Sequence, residues 1–153
     1  MDDLSRLAGL LRRLTEETGK SFVPDSFQNR LRIQKSVYLL GALGLPLVKR
    51  YAFTYYYRGP YSPVLSHDYY ALKKRPVTPT QTRIPPVTLR MVKECIARGD
   101  TFLEAVATVH SIATDMSPHL DKDETFRIAM LLKPQLKGRY EKAWDFLCEA
   151  GLL

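Results

Sequence analysis

Leu4, Leu7, Leu11 and Leu14 recur at intervals of three and four, one stripe of a helix over residues 4–17. Ala8 and Leu10 widen the stripe, Arg6, Arg12 and Arg13 flank it, and Glu16-Glu17 close it before Gly19. Pro24 marks the following loop, and Asp25 or Ser26 can cap a second helix over 27–43. There Phe27, Leu31, Ile33, Val37, Tyr38 and Leu40 cover a wide arc, which predicts burial on more than one side. Arg30, Arg32 and Lys35 take the remaining face, and Gly41, Gly44 and Pro46 end the helix.

The period then changes from 3.6 to 2. Tyr51, Phe53, Tyr55 and Tyr57 alternate with Ala52, Thr54 and Tyr56, which predicts an aromatic strand over 51–57. Arg58-Gly59-Pro60 breaks it. Ser62-Pro63 reads as N-cap and first turn of a helix over 63–74, carrying Val64, Leu65, Tyr69 and Leu72 and closing on Lys73-Lys74-Arg75. Residues 76–86 hold four prolines and predict an extended loop or edge strand, with Val77 and Ile84 able to pair with 51–57 as a ribbon. This is also the only plausible subdomain break in a chain otherwise read as one domain, 1–153.

Beyond it the pattern is helical throughout. Leu89, Val92 and Ile96 define a helix over 87–98. Thr101 and Glu104 have capping-box spacing for a helix over 101–114, with Phe102, Val106, Val109 and Ala113 inside. Asp121 and Glu124 form a second box for a helix running to about Lys133, before Pro134. Tyr140, Ala143, Trp144 and Leu147 share a face of a last helix over 138–150. The expected fold is mainly α: a helical domain with one short β-ribbon around 51–57 and a C-terminal helical bundle.

Charge adds an asymmetry. Residues 1–98 carry 17 Lys and Arg against 7 Asp and Glu, a net +10, whereas 99–153 carry 6 against 9, a net −3. The first part can therefore attract an anionic partner: nucleic acid, an acidic protein surface or membrane headgroups. A solvated basic surface is the bland alternative. Two cysteines, Cys95 and Cys148, make neither a disulfide framework nor a zinc set. No apolar run has the length of a membrane span, and the acidic opening Met1-Asp2-Asp3 is unlike a signal peptide. A cytoplasmic protein is expected.

Candidate chemistry is sparse. Gly-Pro-Tyr-Ser-Pro is not a nucleophile elbow, and Pro63 suits Ser62 to capping. His67, His110 and His119 lack metal-ligand spacing. There is no GxxxxGK(S/T) and no GxGxxG. Asp121, Asp123 and Glu124 have an ordinary role at a helix N-terminus. No enzyme, metal or cofactor is expected. What is left is binding. The aromatic strand face beside Lys49, Arg50 and Arg58 suits either base stacking or core packing. The contact candidates are Arg30, Arg32 and Lys35, Arg58 and Tyr61 at the turn, and Lys73, Lys74 and Arg75.

Two stretches also carry a family likeness. Arg30-Leu-Arg-Ile-Gln-Lys-Ser-Val-Tyr-Leu-Leu40 and Tyr57-Arg-Gly-Pro-Tyr-Ser-Pro-Val-Leu65 resemble the "kLQKlvYLL" helix and "yGPYSpeL" turn of the YwgA-type family of small prokaryotic proteins. Leu103–His110 and Leu132-Lys133-Pro134 resemble its helical half, so the likeness spans roughly 27–150. Arg58 stands where that family often has a small or aromatic residue, and Val64 where it usually has an acidic one. A more distant likeness is to the Panacea-type antitoxin domain. That kinship implies a non-enzymatic regulatory or protein-interaction module with a protein partner. The alternative is a nucleic-acid-binding protein or transcriptional regulator using the basic 1–98 part.

Overall fold

A computed structural model describes residues 2–56, 59–115 and 118–153, without the side chains of Tyr55 and Tyr56. The leucine stripe at the N-terminus forms helix α1, Asp3–Thr18, and buries Leu7, Leu10, Leu11 and Leu14. The second helix, α2 (Phe27–Ala42), is capped by Ser26, whose side chain accepts from the Asn29 amide. A 3₁₀ turn, Pro46–Val48, leads to strands β1 (Thr54–Tyr56) and β2 (Gly59–Tyr61). Helices α3 (Pro63–Lys74), α4 (Pro86–Ala97), α5 (Asp100–Thr114) and α6 (Lys122–Leu132) follow. A second 3₁₀ turn, Pro134–Arg139, precedes α7, Tyr140–Glu149. The protein is mainly α-helical.

Helix α5 is the centre. It packs against α2, α4, α6, α7 and β2, and is buried almost all round, from Phe102 and Leu103 through Val109 and Ala113. On the α7 side the rings of Phe102 and Phe146 meet edge to face at 5.8 Å. The last turn of α6 is closed from α7: the Tyr140 hydroxyl donates to the Lys133 carbonyl at 2.6 Å, with the Ala129 carbonyl 3.2 Å away. This accounts for carbonyls that a helix end leaves without intrahelical partners.

The ribbon differs from expectation. β1 pairs antiparallel with β2, Thr54 opposite Tyr61 and Tyr56 opposite Gly59, so the chain doubles back before entering α3. Residues 76–85 form no strand. They cross α1 instead: the Thr80 amide donates to the Ser5 carbonyl at 3.0 Å, and Arg13 donates to the Thr82 carbonyl at 3.0 Å. Gly9 makes this approach possible, because a Cβ there would stand 1.7 Å from the Thr80 oxygen. The crossing buries Ile84 and Thr82.

Two further expectations are corrected. Tyr51 and Phe53 lie before β1, with Tyr51 buried and Phe53 packed edge to face on Tyr38 at 5.4 Å, so this part of the aromatic face is core rather than a platform. Tyr57, and the side chain of Tyr55, lie outside the described residues. The Thr101 capping box does not form. Helix α5 begins one residue earlier, at Asp100, behind Gly99, which supplies no side-chain cap. Asp121 does cap α6, accepting from the Glu124 amide at 2.9 Å.

Candidate interaction site at the hairpin corner

The Gln34-Lys35 step of α2 and the Gly59–Pro63 turn are two halves of one contact. The Gln34 carboxamide accepts from the Ser62 amide at 2.9 Å and donates to the Ser62 carbonyl at 3.0 Å, much as a neighbouring strand would. Lys35 Nζ donates to the Pro60 carbonyl at 2.8 Å. Ser62 is fully buried, and its hydroxyl accepts from the Leu65 amide at 3.2 Å, starting α3 with Pro63 in the first turn. Buried backbone groups of a two-stranded hairpin need such partners, because the sheet has no third strand to offer.

Gly59 sits over a buried polar cluster. Its φ of +91° is disfavoured for any residue with a Cβ, and a Cβ would lie 2.9 Å from Thr108 Oγ1, 3.5 Å from Lys133 Nζ and 3.6 Å from Lys35 Nζ. Lys133 is 1% exposed and pairs with Glu104 of α5 at 2.6 Å. Thr108 Oγ1 is buried with no hydrogen-bond partner among the described residues. The two lysine ammoniums therefore approach the same glycine from α2 and from the end of α6.

A second set of contacts fixes the outer elements. The Tyr51 hydroxyl donates to Asp68 Oδ2 at 2.8 Å, and Arg50 joins Asp68 at 3.1 Å to Asp3 at 2.5 Å. Burial first, and then the hydrogen bond to Asp68, raise the Tyr51 pKa. Between α2 and α5, the Tyr38 hydroxyl and His110 Nδ1 lie 2.6 Å apart. Burial raises the Tyr38 phenol, and burial with His119 nearby lowers His110 to about 4. A protonated phenol thus faces a neutral imidazole, and the pair is complete without a charge.

On the outside, a groove of two adjoining depressions begins between α2 and α3 and continues along α3. The first, about 180 Å³, is lined by Phe27, Arg30, Leu31, Tyr61, Ser66, Tyr69 and Tyr70, together with the buried Gln34 and Lys35. The second, about 490 Å³, shares Tyr61, Ser66 and Tyr70 and continues along Pro63, His67, Ala71 and Lys74. Phe27 and Tyr70 are among the exposed large apolar side chains.

Of the residues named from sequence, Arg30, Lys35 and Tyr61 line the first depression and Tyr61 and Lys74 the second. Lys73 pairs with Asp25 at 2.9 Å, and Arg75 is exposed past the end of α3. Arg58 lies outside the described residues. The expected basic face of α2 is corrected. Arg32 is buried and grips Asp100 through both carboxylate oxygens at 2.9 and 2.8 Å, while Lys35, 2% exposed, turns to Pro60. A charge deep in a fold is tolerable only with partners like these.

Sequence reasoning missed Phe27, Tyr69 and Tyr70 as groove walls, and Glu104, Thr108 and Lys133 beneath the hairpin. One signal was available for Lys133. Thr125, Ala129 and Lys133 recur every four residues along the inner face of α6, while Leu131 and Leu132 point outward, 79% and 49% exposed.

Cys95 is buried and Cys148 exposed, both as free thiols. Among the described residues, no group of three or more His, Cys, Asp and Glu is placed to hold a metal, and no helix is long and apolar enough to cross a membrane. No family model, curated protein or solved structure matches this chain.

Proposed function

We propose that this protein is a non-enzymatic, antitoxin-like regulatory module of the cytoplasm that holds a protein partner in the groove between α2 and α3. The observation that carries the reading is the groove itself: Phe27, Tyr61 and Tyr70 presented beside Arg30, on a corner fixed by Gln34 and Lys35. Aromatic residues and arginine are enriched among the residues that dominate interface energies. A rigid support lowers the ordering cost of binding. The nucleic-acid alternative draws on the basic 1–98 part, but Arg32 and Lys35 are spent internally on Asp100 and Pro60.

Capture from native extract tests the proposal, run with and without nuclease and with Tyr70→Ala beside the unaltered protein. One stoichiometric protein, resistant to nuclease and lost with Tyr70→Ala, is expected. Recovery of nucleic acid alone, or of the same proteins by both forms, overturns it.

A further inference from the structure

The interaction reading leaves the chemistry of the occupant open, and the charges around the groove narrow it. Apart from its tyrosines, the ionisable residues lining the two depressions are Arg30, Lys35, His67 and Lys74, with no carboxylate among the described lining residues. Nearby cations have acidic partners: Arg32 holds Asp100, Lys73 holds Asp25 and Arg50 holds Asp3 and Asp68. Arg30 and Lys74 form no ion pair among the described residues. The one hydrogen bond of the Arg30 guanidinium shown is a long one, 3.4 Å to the Pro24 carbonyl.

The shape adds a second constraint. The depressions share Tyr61, Ser66 and Tyr70, so they adjoin, and the second continues along α3. The narrower, about 180 Å³, has walls of Phe27, Leu31, Tyr61, Tyr69 and Tyr70. A cavity of about 150 Å³ is enough for a benzene ring. Ser66 lies where the two depressions meet. A phosphate chain would need cations repeated along its path, whereas Arg30 and Lys74 stand one in each depression among mostly apolar walls.

We infer, resting on the interaction reading, that the groove takes an acidic linear peptide segment with one bulky apolar side chain. That side chain enters the α2–α3 depression, and flanking carboxylates meet Arg30 in that depression and Lys74 in the adjoining one. Charge complementarity of this kind steers association and rejects basic segments.

Fluorescence anisotropy with a labelled peptide of aspartates and glutamates around one phenylalanine tests it. The control arms are the same peptide with lysines for the acidic residues, and an oligothymidylate. Saturable binding of the acidic peptide alone is expected, weakening as salt rises. Arg30→Glu with Lys74→Glu should weaken it at least tenfold, and so should Tyr70→Ala. Lys74 and Tyr70 are exposed and Arg30 is half-buried, so the melting temperature should hold and separate a lost contact from a lost fold. Equal binding of both peptides, binding of neither, tighter binding of the oligothymidylate, or indifference to the charge reversal overturns the inference. A partner captured from extract that is lost with Tyr70→Ala but kept by the double charge reversal would overturn it while leaving the interaction reading standing.

Discussion

Helix α5 has two kinds of neighbour. Toward α7 it presents Phe102 to Phe146 in a setting of Leu103, Val106, Ala143 and Leu147, a core of apolar side chains. Toward the hairpin it presents Glu104 and Thr108 to Lys133 and Gly59, where Lys35, Gln34 and Ser62 are also buried. Apolar packing is non-directional and scales with area, so many sequences satisfy it. A buried polar corner works only with its particular partners in place, and fails as a unit. The bundle therefore supplies stability that is divisible, and the corner supplies a single geometry.

The largest expected break in this contrast is Lys133→Ala. It leaves the mostly buried Glu104 carboxylate without its ammonium, and a loss of about 3–5 kcal/mol is expected in urea unfolding. Lys133→Met with Glu104→Leu removes both charges and should recover most of that loss; no recovery would show that the pair does not act as a unit. Leu103→Ala in the bundle should cost about 2–5 kcal/mol, as a cavity at a fully buried site does. It should add independently to distant bundle changes, whereas Lys133 and Glu104 changes should be strongly non-additive.

Gly59→Ala comes next, with about 1–3 kcal/mol from the positive φ and the approach to Thr108. Paired with Thr108→Ala, which removes the nearest obstructing atom, it should cost less than alone. Ser62→Ala should cost about 1 kcal/mol through the lost cap of α3.

The response to acid tests the α2–α5 contact instead. His110 titrates near 4 when folded and near 6.5 when unfolded. The unfolded state therefore binds the extra proton first. Stability from this group is full above about pH 6.5, falls between 6.5 and 4, and levels off below. Melting temperatures of the protein and of His110→Gln across that window should converge toward the acid end. Parallel curves would remove His110 from the account.

Much of this was legible in sequence where one residue decides alone. The leucine stripe of α1, the caps at Ser26, Ser62 and Asp121, and the Ser62-Pro63 start of α3 depend on neighbours within a few positions. The Thr101 box failed because Asp100, one residue before it, is claimed by Arg32, 68 positions away. Of the two readings of 76–86, the structure has the extended loop and not the edge strand, because the surface at Gly9 offers the chain a place to lie against α1. Arg32 and Lys35 were read as a solvated face because period alone records which side of a helix a residue occupies. It does not record that a carboxylate or a turn carbonyl awaits it there. The groove was half visible, in Arg30, Tyr61 and Lys74. Its aromatic walls come from two helices whose adjacency is a property of the fold.

Helix α5 carries one further consequence. Since it lines both the apolar bundle and the polar corner, neither can open without disturbing the other through it. The amides of its buried central turns, from Ala105 to Val109, should exchange with solvent only in rare openings of the whole molecule. Loosening of the hairpin is thereby tied to the same cooperative event, and the surface of α3 is held in place by a helix it does not need to touch.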